Sequence, residues 1–213
     1  MSELNKLEGF PTVNYISLHE SVARRKYMEW QFSRFNIQKS NVYLANRWEN
    51  IKQNYNIIGE PGTQHIQHGT TTSHLNLMRS WYLNSDEEYG FFCDDDLNFE
   101  THKYWNFTWQ EFINALPNNW ECVQVMRIDS SWDEKSIEGY PDSYKLKLTY
   151  GRWWGAASIM RRDYVRKILE SHLVNFNTFN FSYINGHYPI LENVLFYNKG
   201  QVMNVPLFIE GLD

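Results

Sequence analysis

Three consecutive aspartates, Asp94-Asp95-Asp96, close the apolar run Tyr89-Gly90-Phe91-Phe92-Cys93. Adjacent carboxylates oppose one another's ionisation, and burial opposes it further. A hard divalent cation removes both penalties, because it binds carboxylate oxygens. On an extended chain Asp94 and Asp96 project to one side and Asp95 to the other. Asp94 and Asp96, on one edge, can then hold a metal together, with Asp95 the alternative should the register of the strand end differ. Two carboxylates leave coordination positions for phosphate and water, which suits neutralisation of a diphosphate leaving group. The competing reading is a solvated acidic turn, or a set of helix-capping aspartates before Leu97.

Such a cluster needs a strand to carry it. The run 89–93 reads as a strand buried on both faces. Val13-Asn14-Tyr15-Ile16-Ser17-Leu18 reads as another, with a helix from about Val22 to Phe35 and a strand at Val42–Ala45. Gly59-Glu60-Pro61-Gly62 is a turn. Gly69-Thr70-Thr71-Thr72-Ser73 precedes a helical pattern with Leu75, Met78 and Tyr82 inward, and Thr72 or Ser73 is placed to cap it. Thr108-Trp109-Gln110-Glu111 is a capping box, and Pro117 ends its helix. Strands are expected at 122–128, 153–160 and 202–208, the last at an edge because of Pro206. A helix with Val165, Ile168 and Leu169 inward, and one from Pro189 through Leu195, complete the pattern. The alternation predicts an α/β sandwich around a mainly parallel sheet. Ligands of such sheets bind beyond the carboxyl ends of the strands, here Leu18-His19-Glu20 and the aspartates.

The chain has 213 residues, 42% of them apolar, enough for one α/β domain spanning 1–213; a fragment of a longer protein is the alternative. Aromatics make up 17%, with 9 Trp, 14 Tyr and 13 Phe. They fill a bulky core or, in part, stack on sugar rings or bases. A formal net charge of −5 argues against a nucleic-acid partner. Cys93 and Cys122 lie in apolar runs without metal-type spacing and read as reduced core residues. No run approaches the roughly 20 apolar residues of a membrane helix, and the start of the chain lacks a secretory pattern. A soluble, cytoplasmic protein is expected.

Four blocks, in order, resemble GT-A fold glycosyltransferases of the family 25 type, the lipooligosaccharide and collagen galactosyltransferases. They are Tyr15-Ile16-Ser17-Leu18 with Arg24-Arg25, Gly69 with Ser73-His74-Leu75, Phe91 to Asp96, and Trp154 to Met160. The family's acidic strand end is usually Glu-Asp-Asp, and its late segment carries an aspartate where this chain offers Glu192. Large-virus glycosyltransferases of this size, including those of chlorella viruses, are also similar, which would place the protein in a host cytoplasm.

The resemblance implies a Rossmann-like α/β/α sandwich, a UDP-sugar donor, Mn²⁺ or Mg²⁺, and a glycan or glycoprotein acceptor. Ser17 and Leu18 would contact base and ribose, and Arg24 or Arg25 a phosphate. Ser73 and His74, at a helix start, would face the donor. Asp94 would bond ribose or sugar hydroxyls, and Asp96 the metal. His187, in a turn-like segment, is the candidate for completing the metal sphere. Glu192 is the candidate base of an inverting reaction, with Asp129 and Asp133 as rivals. Trp153 and Trp154 offer an acceptor platform. A metal-dependent phosphohydrolase or nuclease and a calcium-holding carbohydrate-binding protein are the competing classes.

Overall fold

Val13 and Tyr15 enter one apolar cluster, and Ile16 enters a second on the opposite face, as the two-residue period of a strand requires. The computed structural model describes residues 5–45, 47–59, 65–126, 157–182, 190–196, 200 and 202–210. The chain runs β1 (Val13–Leu18), α1 (Val22–Arg34), β2 (Ser40–Ala45), α2 (Trp48–Asn54), β3 (Asn56–Ile58) and α3 (His65–Asn84). It continues with β4 (Tyr89–Asp94), β5 (Leu97–Asn98), a 3-10 helix (Phe99–Tyr104), α4 (Trp109–Ala115), β6 (Cys122–Met126) and β7 (Ala157–Arg161). Last come α5 (Arg162–His172), β8 (Leu173–Asn175), β9 (Thr178–Asn180), α6 (Leu191–Phe196) and β10 (Val202–Glu210).

Seven strands form one sheet in the order β2-β1-β4-β7-β6-β10-β5, and three form a small second sheet, β3-β9-β8. The expected α/β class holds, but the sheet is mixed rather than mainly parallel. β1 pairs in parallel with β2 and β4, and β6 with β10. β7 runs against both β4 and β6, and β5 against β10. The physical reason is that apolar content reports burial, not direction. β7 is buried almost throughout, and nothing in such a run distinguishes an up strand from a down one.

Helices cover both faces of the sheet. α1, the 3-10 helix and α4 bring Met28, Phe32, Phe99, Trp109 and Phe112 to one cluster. α3, α5 and α6 bring Leu75, Met78, Trp81, Val165, Ile168 and Val194 to the other. Among the described tryptophans, Trp48, Trp81, Trp105, Trp109 and Trp120 are buried in the core, while Trp30 stays 44% exposed. Gly90 is required by that packing, since a Cβ there would meet Phe92 Cζ at 2.6 Å and Trp81 Cε2 at 2.9 Å.

Local signals hold at several ends. Thr108 and Glu111 form the capping box of α4. α1 stops where Asn36 takes a positive φ of 57°, and Ile37 N–H donates to Phe32 O at 2.9 Å, a Schellman closure. The start of α3 differs from expectation. The helix already begins at His65, so Thr72 and Ser73 lie inside it and cap nothing. Their hydroxyls donate back to His68 O and Gly69 O at 2.8 and 2.7 Å. Burial of this polar turn under the rest of the fold overrides its weak helix propensity. β10 is not a bare edge either; its register with β6 shifts between Asn204 and Phe208, the interval holding Pro206, a bulge being the other place a strand tolerates proline. Parts of the expected 59–62 turn and of the 122–128 and 153–160 strands, with Pro189, lie outside the described residues.

Candidate active site

β1 and β4 are parallel neighbours with Ile16 opposite Asp94, so the last two residues of β1, Ser17 and Leu18, lie beside the turn that carries Asp95 and Asp96. From β1 the chain goes to β2 on one side and later to β4 on the other. The gap between β1 and β4 is therefore a topological switch point, where the carboxyl ends of open α/β sheets bind ligands. A cleft of about 430 Å³ opens there. Ile16, Ser17 and Leu18 of β1 line it, with Asp94, Asp95 and Asp96 beside them. Arg24 of α1 and Gly69, Thr70 and Ser73 of α3 face the same space. Ala45, Arg47, Trp48 and Glu49 close the side beyond β2.

Each aspartate has its own partner. Asp94 Oδ1 lies 2.9 Å from Nε2 of the buried His74. A carboxylate only accepts, so that nitrogen carries the proton. His74 Nδ1 has no hydrogen-bond partner among the described residues. Asp95 Oδ2 accepts from Ser17 Oγ at 2.6 Å. Arg24 Nη1 lies 3.4 Å from Asp95 Oδ1 and 3.1 Å from Asp96 Oδ2. The strand ends at Asp94 and a turn follows, so Asp95 and Asp96 share the arginine while Asp94 faces α3. The expected alternation, with Asp94 and Asp96 together and Asp95 opposite, does not extend through the turn. All three nonetheless line one cleft.

Behind them, burial above all, then the charges of Asp94, Asp96 and Asp95, push the Cys93 thiol far up. It stays a protonated core group. At the mouth, Arg47 Nη2 and Nε sit 2.6 and 2.8 Å from Glu20 Oε1. The Glu20 carboxyl is held below its ordinary range, first by its own backbone N–H and then by Arg47.

Of the residues expected at the site, Ser17, Leu18, Arg24, Ser73, Asp94, Asp95 and Asp96 do line the cleft. His74 and Arg25 stand behind it. Arg25 donates to Ser17 Oγ at 3.1 Å, to Leu18 O, and to His19 O at 2.9 Å, so it holds the end of β1. Glu192 is half-buried on α6 and is not among the residues that line the cleft. Asp129, Asp133, Trp153, Trp154 and His187 lie outside the described residues. Sequence reasoning overlooked Arg47-Trp48-Glu49. The signal was available: they follow the carboxyl end of β2, as the aspartates follow that of β4.

Among the described residues no three His, Cys, Asp or Glu side chains are grouped as a complete metal site. The carboxylates are nonetheless the oxygen donors that a hard cation takes. Asp94 and Asp96 are carboxylates with side chains 29% and 19% exposed, and a hard ion takes its further oxygens from phosphate and water. No helix among the described residues is long and apolar enough to cross a membrane. No protein-family model and no curated protein sequence matches the chain.

Proposed function

We propose that this chain is a metal-dependent glycosyltransferase of GT-A type, with an α/β/α sandwich. It would move a sugar from a UDP-sugar to a hydroxyl of a glycan or glycoprotein. One observation carries the reading: the acidic triplet lies in a cleft at the switch point between β1 and β4. In its lining Arg24 and Arg47 face Glu49, Asp94, Asp95 and Asp96, a formal net charge of −2. A diphosphate is repelled by such a surface, and a divalent cation brings the lining to neutrality. Mn²⁺ or Mg²⁺ held by Asp94 and Asp96 would stabilise the negative charge that develops on the departing UDP.

The chain's own residues supply the rest. Ile16, Ala45 and Trp48 give the lining apolar surface suited to a base. Ser17 and Leu18 underlie the ribose, and Asp94 accepts from its hydroxyls. Transfer joins the acceptor oxygen to the anomeric carbon as the bond from that carbon to the diphosphate oxygen breaks. The electron pair leaves with UDP, and a base takes the acceptor's proton. Inversion follows from a single displacement. Glu192 and Asp129 are the candidates for the base, and His187 for a further metal ligand.

Thermal unfolding with Mn²⁺, UDP, both together, and GDP with Mn²⁺ tests the reading. A ligand at 100 times its dissociation constant adds about 2.7 kcal/mol. The expected result is a shift that needs UDP and Mn²⁺ together and is smaller with GDP. A shift with metal alone points to a hydrolase or a structural calcium site, and no shift at all leaves an acidic turn.

A further inference from the structure

The cleft's two arginines are held differently. Arg24 spans two partly buried carboxylates of the site itself. The Arg47 side chain is 67% exposed, and its ion-pair partner among the described residues is Glu20, 52% exposed, in the loop after β1. Both of its contacts converge on the single oxygen Oε1. That is short of the parallel two-oxygen fork in which a guanidinium binds best. An exposed ion pair of this kind contributes little stability. Arg47 stands at the start of α2, where its donor-only guanidinium cannot accept from the helix N–H groups and is turned to Glu20 instead. Among the described residues its side chain is tied only to this exposed carboxylate, yet it lines the cleft that holds the three aspartates.

We propose that Arg47 is a phosphate-binding residue of the cleft, kept in waiting by Glu20, and that it exchanges this carboxylate for the diphosphate of the incoming nucleotide. The inference rests on the nucleotide-sugar reading above. A diphosphate offers several oxygens in the geometry a guanidinium prefers, and it does so inside the cleft rather than at its open rim. Glu20 then acts as a competitor for Arg47. It keeps the lining's second cation ordered near the mouth and sets a threshold that a ligand without phosphate does not cross.

This predicts opposite signs for two surface substitutions. Binding of UDP and of inorganic pyrophosphate, each with Mn²⁺, is measured by titration calorimetry for the wild type, Arg47→Ala and Glu20→Gln, with uridine as the phosphate-free control. Arg47→Ala is expected to weaken both phosphate ligands by about tenfold, and Glu20→Gln to tighten them by about threefold. Uridine binding is unchanged in either variant. Equal or weaker phosphate binding by Glu20→Gln overturns the exchange, because a merely structural clip between the two loops has that sign. Unchanged binding by Arg47→Ala also overturns it. In both cases, a wild type that binds UDP with Mn²⁺ leaves the nucleotide reading standing. A wild type that binds neither UDP nor pyrophosphate sinks both. Unfolding curves of the variants establish that the fold is retained.

Discussion

Nε2 of His74 and Oδ1 of Asp94 lie 2.9 Å apart, with the imidazole buried on α3 and the carboxylate at the cleft wall. The histidine aims the carboxylate from behind, as a residue that orients a ligand-binding group does. His74→Leu removes that donor, while His74→Gln carries an N–H to a similar position. Binding of UDP with Mn²⁺ is expected to weaken by about tenfold or more in the leucine variant and to recover largely in the glutamine variant. Equal losses in both would assign His74 to packing alone.

Asp96 carries the metal assignment. Asp96→Ala is expected to lower sugar transfer by at least about tenfold, or ~1.4 kcal/mol in the barrier, with the loss mainly in kcat. The measurement is steady-state transfer with the UDP-sugar and acceptor found by screening. An unchanged rate would falsify the metal role.

Gln31 is a fully buried amide on α1 whose Nε2–H donates to Leu97 O at 2.9 Å and whose Oε1 accepts from Phe99 N–H at 2.7 Å. It stands in for a neighbouring strand beside the chain that leaves the aspartates. Gln31→Leu orphans two buried backbone groups, each worth about 1–3 kcal/mol. A loss of at least about 2 kcal/mol in urea unfolding is expected, and a loss below half that figure would mean that water replaces the amide.

Glu87 gives the stability a pH dependence. Burial raises its pKa, but hydrogen bonds from Thr12, Trp81 and Ser85 together outweigh burial and hold it below the ordinary carboxylate value. A carboxyl depressed on folding stabilises above its unfolded pKa, and that contribution disappears as pH falls through the lower folded value. Melting temperature is therefore expected to fall on acidification below about pH 4.5, and less steeply in Glu87→Gln. Parallel acid limbs for the two proteins would exclude Glu87 as the cause.

What could be read in the sequence was what short-range chemistry determines. β1, the capping box of α4 and the apolar strand before the triplet each rest on a few adjacent residues, and each is present. The contact of Asp94 with His74 joins residues 20 apart, through a helix that starts earlier than its polar turn indicates. No local pattern contains it. The reversed direction of β7 was hidden because a fully buried strand looks the same either way. The position of Arg47 after a strand was readable, but that it borders this cleft depends on β2 lying next to β1, a fact of topology rather than of residue type.

Arg25 stitches together Ser17, Leu18 and His19, so the end of β1 is ordered before anything enters the cleft. A segment already fixed has little conformational entropy left to lose when a ligand arrives. The thermodynamic consequence is that this wall of the cleft adds no coupled-folding contribution to the heat capacity of binding. The kinetic consequence is association in a single phase at this wall of the cleft, with no slow ordering of β1 before the complex forms.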